Sequence, residues 1–261
     1  MMGGHHAICG AAAWVTITSS APYMLGAHPL PARSVLIGAV VTAGAALLPD
    51  VDHHNATIAH SGGLVTQTIA DVAETVSGGH RHGLHSLLAV VGFTAATWAA
   101  QFWQATVPVL GLIPAGSLLL LLALIAFGSR ALKLSRGGAL KLWVSAAVAA
   151  VGILYFAPQE LDWLPMSVLI GVVVHLVGDL MTVGGLPLLW PWIPKPPGSV
   201  EYMPVLRRLW QPNGYVAVPI LGKAGSFREW VLCGVLSIYL LYGLTVTVAE
   251  ALHVQVTLAA G

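Results

Sequence analysis

The chain has 261 residues, of which 57% are apolar and only 8% are charged, and its mean hydropathy is +0.82. A soluble domain carries about 25% charged residues, so this composition excludes a soluble globular protein and indicates an integral membrane protein. The formal net charge of +1 gives no basis for attracting nucleic acid through bulk charge.

Seven apolar stretches are candidates for transmembrane helices, because a spanning helix needs roughly 20 mainly apolar residues. Five of them meet this requirement well, and the two nearest the N-terminus are shorter or richer in Ala, Gly and Thr. The sequence therefore predicts an all-α integral membrane protein with about seven spans, or six as the alternative. The predicted spans are residues 7–26, 34–48, 84–106, 108–128, 140–158, 164–183 and 230–252.

Two further segments are not obvious spans. Residues 56–79 place apolar side chains at helix-like spacing beside Asp71 and Glu74, which predicts a short interfacial helix near the site. Residues 187–222 are rich in Pro and aromatic residues, which predicts an irregular surface segment at the level of the lipid headgroups. We interpret residues 1–261 as one membrane-embedded domain.

The positions of Lys and Arg predict the orientation, because basic residues concentrate in cytoplasmic loops. The loop 129–139 and the segment 184–229 are rich in basic residues, whereas the connection 158–163 has acids and no Lys or Arg. We therefore predict that the first two are cytoplasmic and the third is external. With seven spans, residues 49–83 are then cytoplasmic and residues 27–33 external.

His175 and Asp179 are four residues apart on a predicted helix, so their side chains lie on the same face. One helix can therefore offer two ligands to a single ion. The alternative is a buried His–Asp hydrogen bond that only helps the bundle to pack.

Two other blocks place ionisable groups next to apolar segments. Residues 49–53 read Pro-Asp-Val-Asp-His, and two acids beside hydrocarbon are costly unless each meets a cation. His80 and His85 flank Arg81, which cannot be a ligand but can hold an anionic group. His82 with His85 is a competing pair, and a solvated helix end or solvated loop histidines are the alternatives for these blocks.

The predicted topology places these motifs at the cytoplasmic end of the bundle. Imidazole and carboxylate are the donors that zinc and related divalent ions prefer, so we predict a divalent metal site, with zinc as the favoured ion. A single catalytic zinc usually takes three protein ligands, and eight donors therefore favour two or more ions. The predicted metal ligands are His6, Asp50, Asp52, His53, His80, His85, His175 and Asp179.

At these residues the sequence resembles the YdjM family of membrane-bound, metal-dependent hydrolases of bacteria and archaea. The family's ordered motifs are an early His with Gly four residues later, Pro-Asp-x-Asp-His, His-Arg-x-x-x-His-Ser and His-x-x-x-Asp-x-x-Thr. They correspond here to His6 with Gly10, residues 49–53, residues 80–86 and residues 175–182. One departure is Leu84, where the family often has Thr, and another is the His-Gly pair at residues 82–83.

The resemblance implies a multi-pass protein of the prokaryotic cytoplasmic (inner) membrane. The family also looks distantly similar to zinc-dependent phospholipase C and to single-strand-specific zinc nucleases, which implies phosphoester hydrolysis.

From the residues and the resemblance together we predict a metal-dependent hydrolase of a phosphoester or lipid-like substrate, which uses metal-activated water. The expected partner is a membrane lipid or an amphiphilic small molecule, with no nucleic acid. Arg81 would stabilise charge on the transferred group, and Asp52 is the favoured general base. The alternatives are a divalent-metal or proton-coupled transporter, and a haem-binding redox protein with His85 and His175 as axial ligands.

The orientation can be tested with the single-cysteine variants Ser135→Cys and Gln159→Cys in a background without the two native cysteines. An impermeant thiol reagent applied to intact cells should label the cysteine at 159 and not the one at 135. The reason is that the connection 158–163 is predicted to be external and the loop 129–139 cytoplasmic. The reverse labelling pattern would invert the topology and move the site to the outer face.

Overall fold

The protein is described by a computed structural model that covers residues 1–252, except 54, 55, 57, 80, 109, 110 and 136, and that gives only the backbone of Val65 and Glu201. In this part of the chain the structure is mainly helical. The α-helices are α1 (Gly3–Thr18), α2 (Ala32–Ala45), α3 (Leu64–Ser77), α4 (Leu87–Ala100), α5 (Ala115–Ala131), α6 (Ala139–Phe156), α7 (Leu164–Leu180), α8 (Pro204–Leu209) and α9 (Phe227–Ala251). Short 3-10 helices cover Leu48–Asp52, Gly83–His85, Pro158–Leu161 and Gly198–Tyr202.

Each predicted span contains one α-helix, but several of these helices are shorter than predicted. Within the described residues, four segments are long and apolar enough to cross a membrane: Ala32–Asp52, Ala139–Phe156, Pro158–Leu180 and Phe227–Ala251. The helices α4 and α5 are apolar but shorter, and α1 has 16 residues. Membrane-spanning helices are thus supported, and the count of seven stays a prediction.

The connection between α4 and α5 corrects the all-α prediction and the predicted ends of two spans. Helix α4 ends at Ala100, and strand β1 (Ala105–Val107) then pairs antiparallel with strand β2 (Gly111–Ile113). Gly111 has a φ of 75°, which glycine adopts without steric cost. Because the hairpin is apolar and rich in β-branched residues, its composition alone does not distinguish it from the end of a helix.

The two segments that were not predicted as spans match their predicted local structure. Residues 56–79 contain the helix α3, and its apolar residues Leu64 and Val76 are 81% and 78% exposed. Residues 187–222 are mostly irregular and contain the short helix α8. An exposed apolar helix face suits a membrane interface, although contact with a membrane stays a prediction.

Small residues let the helices around the site approach closely. A Cβ atom at Gly10 of α1 would lie 2.8 Å from the Thr42 carbonyl oxygen of α2. A Cβ atom at Gly171 of α7 would lie 2.7 Å from the Ala46 backbone nitrogen. Such approaches are common where helices associate in membranes. They hold the C-terminal end of α2 between α1 and α7, directly before the 3-10 helix Leu48–Asp52.

The loops separate into two groups at opposite ends of the bundle. At one end, Arg33 Nε lies 2.9 Å from Glu160 Oε1, and Gln101 donates a hydrogen bond to the Leu161 carbonyl at 2.9 Å. These contacts join the end of α4 to the connections 27–33 and 158–163, which are both predicted to be external. The positive charge of Arg33 in one of these connections is neutralised by Glu160 of the other.

The close approach of α1 to α2 predicts that Gly10→Ala destabilises the bundle. The added Cβ meets backbone atoms of α2, so we expect the free energy of unfolding to fall by about 1–3 kcal/mol. Gly152→Ala on α6 is the matched control, because nothing lies within 4 Å of a Cβ at that position. Reversible unfolding in mixed SDS micelles, followed by circular dichroism, measures both variants. Equal stability of the two variants would contradict the packing described here.

Candidate metal centre

His175 is fully buried on α7 and is held by the backbone of α2. Its Nδ1 atom lies 2.7 Å from the Ala46 carbonyl oxygen. Because a carbonyl oxygen can only accept, Nδ1 carries the hydrogen and donates it. In the neutral imidazole, Nε2 therefore presents its lone pair to the centre of the bundle.

His85 approaches the same point from the opposite side. It ends the 3-10 helix Gly83–His85, and Ser86 then caps α4 by accepting a hydrogen bond from Ala89 N at 3.2 Å. His85 is fully buried, and its Nδ1 atom lies 3.5 Å from Asp52 Oδ2. Its Nε2 atom lies 3.2 Å from Nε2 of His175. The two ring nitrogens therefore face each other.

Two carboxylates complete this cluster. Asp50 Oδ1 lies 3.6 Å from Nε2 of His85 and 3.7 Å from Nε2 of His175. Asp179 Oδ2 lies 3.9 Å from each of the same two nitrogens. Ligands that are 2.0–2.1 Å from a tetrahedral zinc lie about 3.3 Å from one another. The atoms of Asp50, His85 and His175 are thus spaced nearly as they would be around one small ion, and Asp179 lies at its edge.

His6 extends the cluster toward α1. Its ring stacks on His175 with a centroid distance of 3.8 Å, and its Nε2 atom lies 3.2 Å from Asp179 Oδ1. His6, His175 and Asp179 thus form a second group of possible ligands. Asp179 turns one oxygen toward His6 and the other toward His85 and His175. A carboxylate in this position can be shared between two ions.

Cations of the chain itself also contact Asp179. Arg81 Nη2 lies 3.1 Å from Asp179 Oδ2, and the N-terminal ammonium of Met1 contacts Oδ1. Arg81 borders an open polar cavity of about 410 Å³ that is also lined by Asp50 and His53. Its side chain is 22% exposed, so the guanidinium lies between the buried cluster and this cavity.

The structure brings most of the predicted ligands together. His6, Asp50, His85, His175 and Asp179 converge, although they come from four separate segments. His80 lies outside the described residues, and His53 lines the polar cavity without joining either group of possible ligands. The predicted roles of these residues in metal binding stay predictions.

Two predictions within this site depend on where single residues lie. His85 is in the cluster; of its two candidate partners, His82 has its Nε2 atom 3.4 Å from the Tyr215 hydroxyl, and His80 lies outside the described residues. Asp52 is fully buried behind the far nitrogen of His85, and neither group of possible ligands includes it. This position favours an orienting role for Asp52 over its predicted roles as ligand and general base.

Sequence reasoning missed Glu229, which fixes the first turn of α1 beside the cluster. Its carboxylate accepts hydrogen bonds from Met2 N at 2.8 Å and from Gly225 N at 2.9 Å, and it lies 2.5 Å from His5 Nδ1. The available signal was a single acid in the first turn of an otherwise apolar helix. The Ala46 carbonyl was also missed, because no side chain marks a backbone acceptor.

Comparison of the sequence with models of known protein families identifies the family of this chain. The family model described as YdjM inner membrane protein matches residues 1–252. The chain belongs to the YdjM family. No curated protein and no solved structure matches it. The family match confirms the resemblance that the ordered motifs predicted, whereas the distant similarity to zinc-dependent phospholipase C and zinc nucleases stays a prediction.

For this YdjM family member, Asp179→Asn should lower the amount of bound divalent metal, because it removes the only carboxylate of the group His6, His175 and Asp179. Asp162→Asn is the matched control, because this exposed acid lies at the opposite end of the bundle. Elemental analysis of the detergent-purified proteins, before and after treatment with a chelator, measures the difference. Equal metal content in the two variants, or haem absorbance in place of divalent metal, would contradict this assignment.

Proposed function

We propose that this YdjM family member is a membrane-bound, metal-dependent hydrolase of a phosphoester. One observation carries the proposal: two imidazole nitrogens lie 3.2 Å apart in a largely buried cluster, and a carboxylate oxygen of each of two acids lies 3.6–3.9 Å from both nitrogens. Lone pairs and negative charges at this spacing repel unless a proton or a metal ion lies between them. The cluster opens toward a polar cavity, so a bound substrate could reach it.

The donor set fits zinc or a similar divalent ion. Asp50, His85 and His175 would hold the first ion, and His6 with Asp179 would contribute to a second. When bound, such ions supply a hydroxide at neutral pH and polarise the phosphoryl oxygen.

The remaining residues act by orienting ligands and by binding charge. Asp52 keeps the hydrogen of His85 on Nδ1, so that Nε2 is the ligating atom. Ala46 does the same for His175 through its carbonyl. Arg81 binds the anionic oxygens of the phosphoester at the edge of the cavity and stabilises the charge that develops on them.

The alternatives predicted from the sequence receive less support from this geometry. A haem would need its macrocycle between the rings of His85 and His175, whose Nε2 atoms are 3.2 Å apart and are approached by two acids. A transported ion is expected to bind near the middle of the membrane. Here the ligands lie at helix ends, because Asp179 is in the last turn of α7 and His6 is in the first turn of α1.

Arg81→Ala tests the hydrolase proposal. The variant should keep its metal, because guanidinium is not a ligand, and should lose about 10²-fold or more of its metal-dependent hydrolysis of bis(p-nitrophenyl) phosphate. Arg130→Ala is the matched control, since Arg130 is exposed at the end of α5 and donates only to the Gly137 carbonyl among its described contacts.

A broad screen of esters and phosphoesters for metal-dependent turnover, together with an ion-uptake assay, distinguishes the hydrolase from the transporter. The hydrolase proposal is wrong if the wild-type protein shows no metal-dependent turnover while reconstituted vesicles accumulate the ion in an Asp179-dependent way. Retained hydrolysis in Arg81→Ala would remove Arg81 from the mechanism.

A further inference from the structure

An open apolar groove lies between α1, α7 and α9. It has a volume of about 360 Å³, and its walls include Cys9, Ala13, Thr16, Val177, Leu232 and Leu236. The Thr16 hydroxyl donates a hydrogen bond to the Ala12 carbonyl at 2.7 Å, so it does not make the groove polar. The groove therefore offers an apolar surface to a ligand.

One end of this groove adjoins the cluster of His and Asp side chains described above. Met1 and Gly178 line that end, and Met1 also lines the polar cavity that contains Asp50 and Arg81. Gly178 directly precedes Asp179 on α7. A Cβ atom at Gly178 would lie 2.6 Å from Met1 Sδ and 3.1 Å from His6 Cε1, so the groove and the cluster share a thin wall.

The groove runs from the cluster toward the interior of the membrane. Helices α1 and α9 begin near the cluster and α7 ends there, so higher residue numbers on α1 lie farther from the cluster. From Cys9 to Thr16 the groove extends about 10 Å along α1. Its other two walls, α7 and α9, belong to segments that are long and apolar enough to span a bilayer.

We propose that this groove binds an alkyl chain of an amphiphilic phosphoester whose polar head lies at the cluster of His and Asp side chains. The inference rests on the proposed function for the head and on the groove for the chain. A docked apolar helix is the competing occupant, but it would offer no anionic group to the cluster at the end of the groove. Continuity with a charged cluster favours a ligand that has both an apolar and an anionic part.

The chain-binding role predicts a change in chain-length preference when the groove is filled. The measured quantity is the ratio of kcat/KM for hexadecyl p-nitrophenyl phosphate to kcat/KM for methyl p-nitrophenyl phosphate. Ala13→Trp should lower this ratio by about tenfold or more. Thr16→Trp, farther from the cluster, should lower it less and should still accept chains of intermediate length.

Ala149→Trp is the matched control, because it adds the same side chain to an exposed position of α6, which does not line the groove. Its ratio should equal that of the wild-type protein. If size-exclusion chromatography shows that Ala13→Trp does not fold, Ala13→Leu decides the question with the same two substrates. An unchanged ratio in a folded groove variant overturns the inference.

A second measurement does not depend on turnover. In a Cys233→Ala background, Cys9 is the one remaining cysteine and lines the groove. The zinc-loaded protein is placed in phosphatidylcholine nanodiscs. There, hexadecylphosphonate should slow the reaction of Cys9 with N-ethylmaleimide, whereas methylphosphonate should not. Protection by the long-chain compound without any turnover supports the groove and refutes the hydrolase. Turnover without such protection supports the hydrolase and refutes the groove.

Discussion

Mutual repulsion among buried hydrogen-bond acceptors is the constraint on which this structure depends. The bundle brings Nε2 of His85 and Nε2 of His175 to 3.2 Å from each other, and it adds oxygens of Asp50 and Asp179 to the same small volume. Apolar helices alone would not tolerate this arrangement, because buried charge needs a partner of opposite sign. Arg81 and the N-terminal ammonium of Met1 supply positive charge at Asp179, and the proposed metal would supply more.

The cluster joins two environments that a membrane protein usually keeps apart. On one side lies a polar cavity bordered by Arg81, and on the other lies an apolar groove along α1. Both features are lined by Met1, so a molecule with a charged head and an apolar tail would contact both at once. The proposed hydrolase would take its substrate from the bilayer without first moving it into water.

Side-chain spacing predicted much of the site, and backbone features account for most of what it did not predict. The i, i+4 spacing of His175 and Asp179 required no tertiary information, because a helix alone places the two on one face. Spacing could not choose between His80 and His82 as the partner of His85, because neither distance along the chain fixes the path of the loop before α4. The strands Ala105–Val107 and Gly111–Ile113 fall almost entirely within predicted spans, because a short apolar run has no periodicity that separates a strand from a helix.

The Ala46 carbonyl that fixes His175 belongs to the backbone, so no side-chain substitution at residue 46 can delete it. Only a change in the separation of the helices can withdraw this acceptor, and that separation depends on Gly10 and Gly171. A genetic screen for loss of function would therefore find these two glycines, which offer no side-chain donor to the cluster, and it would find Ala46 only through side chains too large for its buried position. In this bundle, the smallest side chains set the chemistry of an imidazole.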